Sequence, residues 1–109
     1  MSHIFGTLEG VQYIKTVEDI VPKMERVIAE LKLTEVSRCF HQFEPFGATG
    51  VILLAESHFS VHTYPENNKL YFDLFCCQKD FKANSAKAAG EIYNSFNASK
   101  ITWECKDRM

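Results

Sequence analysis

The stretch His58-Phe59-Ser60-Val61-His62-Thr63-Tyr64, then Pro65-Glu66-Asn67-Asn68, then Lys69-Leu70-Tyr71-Phe72-Asp73-Leu74-Phe75-Cys76-Cys77 decides the fold. In its first part His58, Ser60, His62 and Tyr64 alternate with Phe59, Val61 and Thr63. In its last part Leu70, Phe72, Leu74 and Cys76 alternate with Tyr71, Asp73, Phe75 and Cys77. A period of two is the mark of a strand, whose successive side chains point to opposite faces. The proline and paired asparagines between them form a turn signal. The pattern predicts an antiparallel hairpin of 58–64 with 70–77. If the turn pairs Tyr64 with Lys69, every other opposed pair is fixed, and Cys77 falls opposite Glu56, beside Ser57.

Outward from the hairpin, the period changes. Val17, Ile20, Val21, Met24, Val27, Ile28 and Leu31 recur at three- and four-residue spacing and predict a helix over 17–31. Thr16 with Asp19 resembles a capping box, and Pro22 threatens to shift the helix start. Ala86, Ala89, Ile92, Tyr93 and Phe96 predict a second helix over 84–96. Strands are expected over 35–43, closed by Glu44-Pro45-Phe46-Gly47, over 51–55, and at Ile101, Trp103 and Cys105, with a first strand within 4–14. The order β-α-β-β-β-β-α-β predicts an α+β two-layer sandwich, an antiparallel sheet with both helices on one face. The other face then needs a cover, and a second copy in a homodimer is the expected one.

Composition sets limits. A chain of 109 residues is one domain's worth, 1–109. Twelve basic against 14 acidic residues, with no basic run, exclude a nucleic-acid binder. The apolar stretch 46–55 is far too short to span a membrane. No basic and apolar leader opens the sequence, so the expected location is cytoplasmic. Reduced thiols are expected for Cys39, Cys76, Cys77 and Cys105, with Cys39, Cys76 and Cys105 as packing residues. His58 and His62 share a strand face without a third ligand in register, so no metal site is expected.

The chemistry lies between Phe43 and Cys77. Glu56-Ser57-His58, His62-Thr63-Tyr64-Pro65-Glu66 and a cysteine twenty residues after the serine crowd polar groups into what would otherwise be plain strands. His41-Gln42-Phe43-Glu44-Pro45 and Gly47-Ala48-Thr49-Gly50 precede them. Together these segments resemble the S-adenosylmethionine decarboxylase family in its small bacterial and archaeal form. Its hallmark is Glu-Ser-His-x-x-x-His-Thr-Trp-Pro-Glu with a distant cysteine. Tyr64 stands at the usual tryptophan position and Gln78 where glycine is common.

The resemblance implies a proenzyme that cuts itself between Glu56 and Ser57, giving a β chain of 1–56 and an α chain of 57–109. Ser57 would become a covalent pyruvoyl group, the only cofactor implied. His62 would abstract the proton during processing and Thr49 would assist. The pyruvoyl ketone would take up the substrate amine and draw off the electrons released as CO2 leaves, and Cys77 would return a proton to Cα. Phe43 would stack on adenine and Glu66 would bind the ribose hydroxyls. These two residues favour S-adenosylmethionine over the alternative of a pyruvoyl-dependent arginine or ornithine decarboxylase. An unprocessed regulatory paralogue is a third reading, opposed by the intact Glu56, Ser57, His62 and Cys77 set.

Overall fold

The protein was analysed as a computed structural model, which describes residues 2–55, 57–76 and 84–108. Six strands and two helices follow in the predicted order: β1 (Ser2–Glu9), α1 (Val17–Glu30), β2 (Glu35–Gln42), β3 (Ala48–Leu54), β4 (Ser57–Tyr64), β5 (Lys69–Cys76), α2 (Ser85–Ser95) and β6 (Lys100–Asp107). A short 3-10 turn, Pro65–Asn67, joins β4 to β5. The strands form one sheet in the order β2-β3-β4-β5-β1-β6, and every neighbouring pair is antiparallel.

The β4–β5 register is the one the turn dictates. Tyr64 faces Lys69, and the pairing runs unbroken to His58 opposite Phe75. Asn68 closes the turn in the left-handed region at φ 54°, which asparagine tolerates better than most residues. The expected pairing of Glu56 with Cys77 falls on two positions outside the described residues.

Both helices lie on one face of the sheet. Ile4 and Leu8 of β1, Ile52 of β3, Phe59 and Val61 of β4, and Leu70 and Leu74 of β5 are buried beneath Ile20, Met24 and Val27 of α1 and Ala88 and Ile92 of α2. At Thr16 the capping box forms in both directions: its hydroxyl accepts from the Asp19 amide at 3.2 Å, and the Asp19 carboxylate accepts from the Thr16 amide at 3.1 Å. That cap fixes the helix start at Val17, so Pro22 lies inside α1 and does not shift it. Lys23 reaches back to the carbonyls of Gln12 and Tyr13 at 3.3 and 2.8 Å. Burial pushes its ammonium below the usual lysine range, and Asp19 opposes the shift.

Three expectations need correction. β3 begins at Ala48 rather than Val51, because Gly50 continues the ladder opposite Phe40 and Val61. Ala86 is exposed, and Ala88 fills the core position next to Ala89. Cys39 is exposed as well, because β2 is an edge strand and Cys39 points to the face without helices.

That face carries no cover among the described residues. Leu53 is 49% exposed and Tyr71 42% exposed on it, with Val51 and Tyr64 beside them. No helix among the described residues is long and apolar enough to cross a membrane.

β1 is held between β5 and β6 at close quarters. A Cβ added at Gly6 would lie 2.2 Å from the carbonyl oxygen of Thr102 and 2.9 Å from Cα of Trp103. Backbone cannot yield as a side-chain tip can, so Gly6→Ala is expected to lower stability by about 1–3 kcal/mol. A urea titration showing an unchanged midpoint would refute the close contact.

Candidate active site

β3 and β4 bring Thr49 and His62 together. The two residues are directly opposed in the ladder, and Thr49 Oγ1 lies 3.0 Å from His62 Nδ1. A hydroxyl can donate to a bare ring nitrogen or accept from a protonated one, so the pair is satisfied in either tautomer. Both side chains point to the uncovered face, and the His62 ring is exposed.

Beside this pair the loop from Phe43 to Gly47 and the turn at Pro65 enclose a cavity of about 290 Å³. Phe43, Phe46, Tyr64 and Glu66 line it together with Thr49 and His62. Phe43 is 47% exposed, which removes the reading of it as a core residue. Its ring stands edge-on to His41 at 4.6 Å between centroids. Lys15 lies 5.4 Å above the Phe46 ring, a cation–π distance. The cavity is therefore aromatic on one side, with a carboxylate at Glu66 and a hydroxyl–imidazole pair at its floor.

Gln42, at the end of β2, holds this loop. Its Oε1 accepts from the Val17 amide at 2.8 Å, and its Nε2 lies 3.0, 3.1 and 3.0 Å from the carbonyls of Lys15, Phe43 and Gly47. A side-chain amide presents an acceptor to the N–H and two N–H donors, which the three carbonyls share. Gly47 completes the loop at φ 110°, a conformation open to glycine, and its amide donates to Lys15 O at 2.7 Å. The sequence showed Gln42 only as a letter in a familiar motif. Its partners lie up to 27 residues away, and no local pattern marks such contacts.

Ser57 stands elsewhere. It opens β4 with its side chain on the helix face, only 8% exposed, and its hydroxyl turns back toward the carbonyl of Ala55 at 3.5 Å. Five residues separate it from His62, which at ~3.3 Å per residue is about 16 Å, and strand alternation puts the two on opposite faces. One chain therefore brings Thr49, His62, Phe43 and Glu66 together and keeps Ser57 apart from them. Glu56 and Cys77, also expected at the site, lie outside the described residues.

The sequence profile of the S-adenosylmethionine decarboxylase family matches residues 2–109. The chain belongs to this family. Among curated members, the S-adenosylmethionine decarboxylase proenzyme of Hydrogenobaculum sp. is 42% identical over 108 residues, covering 97% of this chain and 79% of that one. The proenzyme of Aquifex aeolicus is 39% identical, over 97% of this chain and 78% of its own. That of Archaeoglobus fulgidus is 36% identical over 86% of this chain and 91% of its own. The crystal structure of the adenosylmethionine decarboxylase from Aquifex aeolicus superposes with a TM-score of 0.86 at 37% identity, over 98% of this chain and 88% of that one. The Trypanosoma brucei AdoMetDC-delta26 monomer shares the fold, with a TM-score of 0.68 at 11% identity over 94% of this chain and 44% of that one.

This S-adenosylmethionine decarboxylase family chain carries its motif residues in two separated places along β4, and Gln42 holds the loop beside one of them. Gln42→Glu replaces a donor with a carboxylate oxygen against three carbonyls. It is expected to cost about 1 kcal/mol, the low end of the penalty for a polar mismatch, because the amide is only partly buried. Amide exchange should accelerate at Phe43 and Gly47, and unaltered protection there would remove Gln42 as the holder of the loop.

Proposed function

We propose that this protein cuts its own backbone between Glu56 and Ser57, converts Ser57 to a pyruvoyl group, and uses that group to decarboxylate S-adenosylmethionine in the cytoplasm. The products are decarboxylated S-adenosylmethionine, an aminopropyl donor for polyamine synthesis, and CO2. The observation that carries the reading is the position of Ser57. Its hydroxyl is sheltered at the start of a strand and turned toward the backbone that precedes it.

The processing balances from there. Ser57 Oγ adds to the carbonyl carbon of Glu56, and the amide nitrogen leaves, giving an ester. A base takes the Ser57 α-proton as the Glu56 carboxylate departs, leaving dehydroalanine. Hydrolysis releases ammonia and leaves the pyruvoyl ketone at the head of an α chain of 57–109, with a β chain of 1–56. When formed, that ketone supplies the electron sink for loss of CO2.

The chain's own residues take the other roles. His62, polarised by the Thr49 hydroxyl, is the base of processing. Phe43 stacks on the adenine, and Glu66 accepts hydrogen bonds from the ribose hydroxyls, both from the walls of the same cavity. Cys77 returns the proton to Cα, a role drawn from the motif alone. Binding energy from the adenosyl group then orients the carboxylate that leaves.

The separation of Ser57 from His62 supports a shared assembly. A base about 16 Å along the same strand cannot reach its own Ser57, whereas one brought by a second copy to the start of β4 can. A two-fold pairing would set the Thr49–His62 end of one protomer against the Ser57 end of its partner, and cover Leu53 and Tyr71 in doing so. The functional unit is then a homodimer with two shared sites.

Mixing variants tests this. Ser57→Ala and His62→Ala chains should each remain intact alone. Unfolded and refolded together, the His62→Ala chains should be cut in mixed dimers, seen by mass analysis as fragments 1–56 and 57–109. Cutting of His62→Ala by itself, or none in the mixture, would overturn the shared site. Released CO2 from S-adenosylmethionine, arginine and ornithine in parallel tests the substrate, and turnover of a free amino acid alone would overturn it.

A further inference from the structure

Near the Ser57 end, the uncovered face holds a second polar group that none of the roles above employs. His58 Nε2 lies 2.8 Å from Asp73 Oδ1, and the other carboxylate oxygen accepts from the Ser60 hydroxyl. His3 Nε2 lies 3.4 Å from the same Oδ1. That nitrogen is buried and has no hydrogen-bond partner among the described residues, so Asp73 is the acceptor available to it. The His58 ring stacks on Phe75 at 5.7 Å with a 29° tilt, and His3 meets Phe75 edge-on at 5.9 Å. Phe75 is the ladder partner of both histidines. One carboxylate therefore ties β4, β5 and β1 together, and its shortest bond to an imidazole goes to the residue immediately after Ser57.

Cleavage changes what that position must do. Residue 57 becomes a chain end, and chain ends fray unless they are tied down. Its nitrogen has left as ammonia, so it no longer carries an N–H to donate to the ladder. His58 becomes the first residue with a backbone donor and the first with a side chain.

We propose that Asp73, acting through His58, is the anchor that holds the pyruvoyl-bearing chain end in place after cleavage. Both are positioning residues. The anchor rests on the cleavage reading above and makes a demand that a plain packing role would not. It matters in the cut chain and little in the uncut one, where continuous backbone already holds Ser57.

The test compares Asp73→Ala, Asp73→Asn and His58→Phe in the self-cleaved protein and in the uncut Ser57→Ala protein. The first readout is amide exchange over 58–61. In the cut protein Asp73→Ala and His58→Phe should exchange faster by roughly tenfold or more, the size of one lost hydrogen bond to a charged group. In the uncut protein the change should stay within about twofold, because chain continuity holds the segment. Asp73→Asn keeps an acceptor for the His58 N–H and should retain most of the protection. The second readout is decarboxylation: kcat should fall about tenfold with KM within about twofold, because the adenosyl cavity is untouched. His58→Phe keeps the ring on Phe75 and decides the matter if Asp73→Ala does not fold. Equal acceleration in cut and uncut chains, or none in either, overturns the anchor. So does a block of cleavage in both variants, since the group would then serve the cut itself. A parent protein that never cleaves defeats the cleavage reading together with the anchor. A cleaved parent with no cut-dependent difference defeats the anchor alone.

Discussion

Everything in this molecule turns on the two-residue alternation of β4. Ser57, Phe59, Val61 and Thr63 point to the helices, and His58, Ser60, His62 and Tyr64 point away from them. The first set fixes the strand in the core, where Phe59 and Val61 are fully buried. The second set supplies polar groups to the open face. A slip of one residue would exchange the two sets, placing two histidines in an apolar core and Phe59 in water. The turn at Pro65–Asn67 and the core contacts of Phe59 and Val61 both resist that slip. The site therefore inherits its geometry from packing that has no part in the chemistry.

The two faces of the sheet divide the work. The helix face is almost wholly apolar and provides stability through buried area. The open face mixes Leu53, Val51 and Tyr71 with His3, His58, His62 and Asp73. Apolar groups beside titratable ones would be a poor arrangement for a surface meant to stay in water. They suit a surface that is to be covered while its polar groups act. On the proposed dimer, assembly and chemistry would draw on the same residues.

Local signals made much of this legible in the sequence. The hairpin register followed from a four-residue turn, the start of α1 from Thr16 and Asp19, and the core stripe of α1 from spacing alone. The failures have a common cause. Cys39 was read as a packing residue from its residue type, but exposure depends on its strand's place at the sheet edge, which is a long-range fact. Gln42 is decided by partners at Lys15, Val17 and Gly47, and Asp73 by partners on β1 and β4. The separation of Ser57 from His62 was implicit in their odd and even numbers. It took the placement of the helices to show that one face is closed and the other open. For the motif residues, resemblance to a family named the candidates, and the structure then divided them into two groups.

The sheet order also bears on the timing of synthesis. β1 is made first, yet it completes its pairing only with β5 and β6, both from the last forty or so residues of the chain. It must wait unpaired while most of the protein emerges, a slow, non-local closure. Cut at residue 56, the two pieces would alternate across the sheet: β2 and β3 from the first, β4 and β5 from the second, β1 from the first, β6 from the second. Such pieces are interleaved like the fingers of two hands and would not drift apart. A nascent chain severed before β5 arrived would have no such grip, so on this sheet order a late cut would be safe and an early one ruinous.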